Sequence, residues 1–169
     1  MSEIRTGLGW DNHRLAAGRP LILGGVTIPS EMGLEGHSDA DVLAHAITDA
    51  ILGAAALGDI GMHFPDSDPR WKGSDSLVFL RSVKDLAETT GYRVLNVDAT
   101  VILERPKLQD FRLAIRERLA ETLAVELDRI SVKFKTAERL GPVGEGRSAE
   151  AQAVVTLQKL GTGPFRESG

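Results

Sequence analysis

The clearest helical pattern in the chain follows Ser38, where apolar residues recur three and four positions apart as far as Gly58. We interpret Ser38 as the N-cap of this helix. Asp39 and Asp41 then lie in its first turn, where acids favour the positive end of the helix dipole. His37 lies just outside this helix, and His45 lies about two turns inside it.

Two further helices are predicted by apolar stripes. One covers residues 74–90 and is closed by Gly91, and the other begins after Lys107 and ends near Leu127. Alternating apolar and polar positions predict four strands. These strands cover residues 3–10, 92–104, 130–136 and 151–157.

Residues 20–29 predict a small hairpin of two short strands around a Gly-Gly turn, and residues 30–36 a loop. No repeat or linker divides the chain. We therefore expect an α+β fold: one domain over residues 1–160, with a mixed four-stranded main sheet, helices on one face and the small N-terminal hairpin. Residues 161–169 are predicted to be a disordered tail.

Composition narrows the possible functions. At 169 residues the chain is long enough to bury a substantial core, and its net charge of −4 without a basic block argues against nucleic acid as a partner. The absence of cysteine excludes disulfides and thiol catalysis, and leaves His, Asp and Glu as metal ligands. With no signal-peptide pattern and no apolar run near the roughly 18 residues of a membrane span, we expect a cytoplasmic protein without a membrane partner.

Three residues form a candidate metal site. Asp11 and His13 are two apart on a predicted strand and project from the same side, and His45 comes from the helix. Two ligands from a strand and one imidazole from a helix are typical of a catalytic zinc with an open fourth position. A polar strand end is the alternative interpretation of Asp11 and His13. Asp41 and Asp49 share the helix face of His45; they either hold its ring or bond their own helix end or solvent.

Residues 59–69 combine three carboxylates with two prolines. Such a loop suits a lid over a polyhydroxylated or phosphorylated ligand, and a solvated turn is the alternative. His63 is expected at the surface. Glu138 lies near Lys135 and Thr136 at a strand end. Together these residues predict a metal-dependent enzyme that acts on a phosphorylated small molecule, and they leave phosphoryl transfer, hydrolysis and cyclisation open.

Several motifs, in this order, resemble those of one enzyme family. They are Asp11-Asn12-His13, Gly36 to Asp41 with His45, Leu57 to Gly61, Phe64 to Pro69, Arg105-Pro106-Lys107 and Lys135 to Glu138. On these motifs, from about residue 4 to residue 159, the chain resembles the 2-C-methyl-D-erythritol 2,4-cyclodiphosphate synthases of the non-mevalonate isoprenoid pathway.

The resemblance implies a phosphorus–oxygen lyase that converts 4-diphosphocytidyl-2-C-methyl-D-erythritol 2-phosphate into the cyclic diphosphate and CMP. It also implies a homotrimer whose sheets face the threefold axis and whose active sites are shared between neighbours. Asp11, His13 and His45 match its zinc ligands, and Glu138 matches a ligand of Mg²⁺ or Mn²⁺ on the diphosphate. His37 and Thr136 match its transition-state stabilisers.

The resemblance also implies a set of substrate-binding residues. Besides the metal ligands and His37, these are Ser38, Asp59, Ile60, Gly61, Phe64, Pro65, Asp66, Ser67, Asp68, Leu103, Glu104, Arg105, Pro106, Lys107, Lys135, Thr136 and Ala137. Residues 103–107 match the cytidine pocket, and residues 64–68 match a mobile loop. Two rival functions remain: a metal-dependent phosphohydrolase with the same ligands, and a non-catalytic nucleotide-binding or assembly protein.

Overall fold

The computed structural model describes residues 3–161. Its strands are β1 (Ile4–Ala17), β2 (Leu21–Leu23), β3 (Val26–Ile28), β4 (Met32–Glu35), β5 (Tyr92–Ile102), β6 (Ile130–Lys135) and β7 (Ser148–Lys159). Its α-helices are α1 (Val42–Ala55), α2 (Ile60–His63), α3 (Ser76–Thr89), α4 (Arg112–Leu123) and α5 (Gly141–Gly144). Most of the predicted tail, residues 162–169, lies outside the described residues.

Within residues 3–161 the main sheet has five strands in the order β4-β1-β7-β5-β6, and β2 and β3 form the predicted hairpin. β5 and β6 are parallel and the other pairs are antiparallel, so the prediction of a mixed sheet is confirmed. The prediction of four strands is wrong. β1 continues to Ala17, and its last residues pair with β4, which the sequence had suggested to be a loop. β4 is too short to show an alternating pattern.

The helices pack against one face of the sheet, as predicted. On this face β7 carries small or branched residues, Ala149, Ala151, Ala153 and Val155, all at most 1% exposed. α1 lies over β1 and β7, whereas α3 and α4 extend the same core across β5 and β6. Residues 3–161 leave the opposite face of the sheet uncovered. Leu8 and Trp10 project from it with 69% and 50% of their surfaces exposed.

α1 approaches β1 unusually closely because β1 carries glycine at the contact points. A Cβ atom at Gly7 would lie 2.0 Å from the carbonyl oxygen of Ala50, and one at Gly9 would lie 1.9 Å from that of Ala46. α1 and β1 run in opposite directions along this contact. Asp11, two positions after Gly9, therefore lies opposite the start of α1.

The predicted N-cap at Ser38 is wrong. α1 begins at Val42, and the Asp41 carboxylate accepts hydrogen bonds from the N–H groups of Leu43 and Ala44 at 3.1 and 3.0 Å. The reason is local: Ala40 has φ 58°, a left-handed turn that separates Ser38 from the helix. The Ser38 hydroxyl instead accepts a hydrogen bond from the N–H of Ala40.

Two helices end earlier than their apolar stripes predict. α1 stops at Ala55, where Ala56 adopts the left-handed conformation, and not near Gly58. α4 stops at Leu123 because Ala124 also adopts the left-handed conformation. Residues 127–129 form a separate 3₁₀ turn. Alanine at a left-handed cap carries no sequence signal, because glycine is the usual residue there. None of the helices within residues 3–161 is long and apolar enough to cross a bilayer.

Substitution of Gly9 by alanine tests the close contact between α1 and β1. The new methyl group would overlap the backbone of α1, so we expect Gly9→Ala to lower the free energy of unfolding in urea by about 1–3 kcal/mol or more. Gly53→Ala on α1 is the matched control, because its methyl group would meet no atom within 4 Å. We expect that change to stabilise by roughly 0.5–1 kcal/mol, since alanine is the better helix former. Equal effects of the two changes would contradict the packing described.

Candidate metal centre and active site

Three side chains predicted to bind a metal converge on one point. The Oδ2 atom of Asp11 lies 3.0 Å from Nε2 of His13 and 3.0 Å from Nδ1 of His45, and the two nitrogens are 3.1 Å apart. All three side chains are partly buried, and the three atoms are close enough to share one cation. The predicted convergence is therefore confirmed, and metal binding by these residues stays a prediction.

The strand pairing of β1 explains how two of these ligands are presented. Asp11 pairs with Ala151 and His13 with Ala149, so only small side chains flank the two ligands on β7. Nδ1 of His13 lies 3.0 Å from the carbonyl oxygen of Glu35 in β4. Because a carbonyl oxygen only accepts, Nδ1 carries a proton, and in the neutral ring the lone pair of Nε2 points towards the site. The unpredicted strand β4 thus orients a predicted ligand.

The electrostatics of the cluster favour a bound positive charge. Burial would raise the pKa of Asp11, but hydrogen bonds from His13 and His45 hold that pKa well below its usual range. Burial would lower the pKa of His13, but the Asp11 carboxylate raises it above its usual value. The carboxylate therefore remains ionised and favours the protonated, positively charged form of His13. A divalent cation bound there would take the place of that proton.

The remaining nitrogen of His45 is held by serine hydroxyls. Its Nε2 atom lies 2.8 Å from Oγ of Ser76 and 3.2 Å from Oγ of Ser38. Sequence reasoning missed Ser76, because a serine that begins a helix is ordinarily explained by helix capping. Only the fold brings the start of α3 next to α1.

Within residues 3–161, neither acid that shares a helix face with His45 has its carboxylate hydrogen-bonded to the His45 ring. Asp41 caps α1 and also accepts a hydrogen bond from the N–H of Gly25 at 2.7 Å. Asp49 accepts one from the N–H of Ile60 at 2.7 Å, and burial raises its pKa. The idea that these acids hold the His45 ring is therefore wrong. Asp41 bonds its own helix end, and Asp49 anchors α2.

A cavity of about 530 Å³ adjoins the metal ligands. It brings together most of the predicted binding residues of the N-terminal half. Besides the three ligands, its walls are Gly36, His37, Ser38, Ile60, Gly61, Phe64, Pro65, Asp66, Ser67, Trp71 and Phe79. Two predicted residues do not line it: Asp59 caps α2, and Asp68 is bonded to Arg70. A cavity of this size accommodates a small phosphorylated molecule.

An aromatic cluster that the sequence analysis did not identify anchors the loop over this cavity. Phe64 stacks on Phe79 of α3 with ring centroids 4.5 Å apart, and Trp71 meets both rings edge-on. His63 is half-buried and not a surface residue, because its Nε2 donates to the carbonyl oxygen of Leu57 at 2.9 Å. The loop is thus attached to the core by aromatic contacts at its two ends.

The other predicted site residues form a second group at the ends of β5 and β6. The N–H of Leu103 donates to the carbonyl oxygen of Lys135, that of Ala137 donates to Glu104, and the hydroxyl of Thr136 donates to Glu138. Glu104, Arg105 and Pro106 line a separate cavity of about 710 Å³. No residue of this second group is among those that line the metal-site cavity of the single chain.

Comparisons with known proteins agree with this geometry. A 2-C-methyl-D-erythritol 2,4-cyclodiphosphate synthase of Solibacter usitatus is 80% identical over 159 residues, which cover 94% of this chain and all of the relative. A synthase of the same name from Laribacter hongkongensis is 56% identical and covers 92% of this chain and 96% of its own. A solved structure of such a synthase in a CDP-bound form is 46% identical, with a TM-score of 0.84 over 90% of this chain and 99% of that one.

The model of a protein family, described as the YgbB family, matches residues 4–158. That match spans nearly the whole described chain, including both groups of site residues. The fold and the sequence relatives indicate the same family, and the cluster of Asp11, His13 and His45 lies within the matched residues. The chain belongs to the YgbB family.

Proposed function

We propose that this chain converts 4-diphosphocytidyl-2-C-methyl-D-erythritol 2-phosphate into 2-C-methyl-D-erythritol 2,4-cyclodiphosphate and CMP, in the cytoplasm, as a step of isoprenoid precursor biosynthesis. One observation carries the proposal: Asp11, His13 and His45 converge beside a cavity of substrate size, in a chain 80% identical to a synthase named for this product. In the reaction an oxygen of the 2-phosphate bonds to the β-phosphorus of the diphosphate. The bond from that phosphorus to the oxygen shared with the α-phosphate breaks, and CMP leaves.

The three ligands fit zinc. Two imidazole nitrogens and one carboxylate oxygen, 3.0–3.1 Å apart, form the donor set of a catalytic zinc site with an open fourth position. When bound, zinc acts as a Lewis acid that withdraws charge from phosphate oxygens. We assign Glu138 to a second ion, Mg²⁺ or Mn²⁺, carried by the substrate diphosphate.

Residues of the chain bind and orient the phosphates. His37 and Thr136 are assigned to stabilise the transition state, and Ser38 to contact the phosphorylated methylerythritol. Support for His37 comes from its place in the cavity wall, where its Nε2 is buried and has no hydrogen-bond partner among the described residues. Holding nucleophile and leaving group in line removes much of the entropic barrier. No covalent intermediate with the protein is required.

The cytidine is assigned to residues 103–107, with Lys107 near the phosphates and Lys135 and Ala137 alongside. Support comes from the solved synthase with bound CDP, which shares the fold of this chain. Asp59, Ile60 and Gly61 are assigned to the sugar hydroxyls, and residues 64–68 to a loop that closes over the substrate. The roles of these residues follow from the family resemblance.

We further propose a homotrimer in which the uncovered sheet faces meet at the threefold axis. Its support is an apolar patch on that face, formed by Ile4, Leu8, Trp10 and Val154, each at least 39% exposed. Water contact with such a patch is unfavourable, and the patch suits an interface between subunits. Trimer formation would also explain the two separate site groups, because a neighbour would bring its Thr136 and Glu138 to the metal-site cavity.

Incubation with the diphosphocytidyl substrate tests the reaction. We expect equal amounts of the cyclic diphosphate and CMP, measured by ³¹P NMR and chromatography. His45→Ala should abolish turnover because it removes a metal ligand, whereas His63→Ala, which changes a histidine outside the cavity, should remain active. Linear phosphate products would support the rival phosphohydrolase. Absence of any product, from a protein that still binds CDP, would support the non-catalytic nucleotide-binding protein.

Introducing a charged residue on the apolar face tests the proposed homotrimer. We expect sedimentation to show a trimer for the unchanged protein and a monomer for Trp10→Glu, because the carboxylate would be buried without a partner. The monomer should keep its metal and lose cyclisation, since it lacks the neighbour's residues. Val78→Glu, on the solvent side of α3 where Val78 is 46% exposed, is the control and should remain trimeric. A monomeric Trp10→Glu protein with full activity would contradict the shared site.

A further inference from the structure

The metal ligand His45 is connected to a carboxylate outside the metal site. Its Nε2 atom lies 2.8 Å from Oγ of Ser76, and that hydroxyl in turn donates to Oδ1 of Asp39. The backbone N–H of Ser76 donates to the other carboxylate oxygen of Asp39 at 3.1 Å. We infer that Ser76 and Asp39 are positioning residues, which hold His45 in the orientation and tautomer that bind the cation. This inference rests on the proposed metal centre.

The positions of the protons follow from what each group can donate. The Asp39 carboxylate only accepts, so the single hydroxyl proton of Ser76 points to Asp39. The lone pairs of Ser76 Oγ then face His45, and the short contact requires a proton on Nε2. With Nε2 protonated, neutral His45 has its free lone pair on Nδ1, the atom that faces Asp11 and His13. The chain of hydrogen bonds thus selects the tautomer that can bind a metal.

The local fold leaves the Ser76 hydroxyl free for this role. Although Ser76 is the first residue of α3, Asp75 is the N-cap and accepts the hydrogen bond from the N–H of Leu77 at 2.8 Å. The Ser76 side chain is therefore not needed to cap the helix. It is fully buried at the contact with α1, and its contacts are Asp39, His45 and a longer one of 3.4 Å to Ser38.

Ser38 is the competing partner of Nε2, and it is the weaker one. Its Oγ lies 3.2 Å from Nε2, compared with 2.8 Å for Ser76, and it already accepts a hydrogen bond from the N–H of Ala40. No carboxylate orients the Ser38 hydroxyl in the part of the chain that the structure describes. The hydrogen bond that fixes the ring therefore runs to Ser76.

A purely structural role is the alternative. Asp39 joins the turn before α1 to the start of α3, since its own N–H also donates to the carbonyl oxygen of Ser74 at 3.0 Å. If this connection only held the two helices together, its loss would lower stability and leave the metal affinity of the folded protein unchanged. The two roles therefore predict different metal affinities for folded variants that lack this connection.

Zinc affinity of the purified protein provides the test. We expect Ser76→Ala to weaken zinc binding by about 10–100-fold in competition with a chromophoric chelator, because the His45 ring loses its orienting partner. The Co²⁺-loaded variant should show an altered visible spectrum. Ser76→Thr keeps the hydroxyl and should recover most of the affinity. Ser82→Ala is the control, because Ser82 is an exposed serine of α3 whose hydroxyl donates to the carbonyl oxygen of Val78 in the same helix.

Asp39→Asn provides a second variant whose zinc affinity can be measured even if Ser76→Ala does not fold. An amide oxygen still accepts the Ser76 proton without the negative charge, so we expect a loss of affinity smaller than that of Ser76→Ala. Unchanged zinc affinity and Co²⁺ spectrum in folded Ser76→Ala or Asp39→Asn protein would overturn the inference. Failure of the proposed function looks different: the unchanged protein would form no cyclic diphosphate, whatever its zinc affinity.

Discussion

The structure depends on one close contact, between the backbone of α1 and the glycines of β1. Gly7 and Gly9 leave no room for a Cβ atom, and α1 meets them with Ala46, Ala50 and Ala54. Because the helix and strand lie so near each other, an imidazole at position 45 reaches a carboxylate on the neighbouring strand. Any larger side chain at these contacts would lift the helix and separate the ligands. The packing of small residues therefore sets the geometry of the cluster formed by Asp11, His13 and His45.

Around that contact, elements that supply no ligand hold the ligands in place. β4 presents the carbonyl oxygen of Glu35 to His13, and α3 presents the hydroxyl of Ser76 to His45. Each imidazole therefore has one nitrogen occupied by a hydrogen bond and the other directed at Asp11. Preorganisation of this kind spares the protein from reordering the rings when a cation binds. The aromatic contacts of Phe64 with α3 extend the same support to the loop above the cavity.

The sequence was sufficient to predict the features that follow from hydrophobic periodicity and from the chemistry of individual residues. Strong alternation located β5 and β6, and the spacing of Asp11, His13 and His45 predicted that these three side chains converge. It could not predict β4, whose four residues have meaning only beside the last residues of β1. Ser76 was missed because a serine near the start of a helix is ordinarily explained by capping, and only the fold brings it next to His45. The N-cap of α1 was predicted at Ser38 instead of Asp41 because Ala40 adopts a left-handed conformation. Alanine rarely adopts that conformation, so the sequence does not indicate it.

The central claim is that Asp11, His13 and His45 bind one zinc ion, and anomalous diffraction tests it most directly. Crystals of the purified protein, measured above and below the zinc absorption edge, should show one strong difference peak per chain. That peak should lie about 2.0–2.2 Å from Oδ2 of Asp11, Nε2 of His13 and Nδ1 of His45. No peak from zinc-supplemented crystals, or a peak that these three atoms do not share, would contradict it.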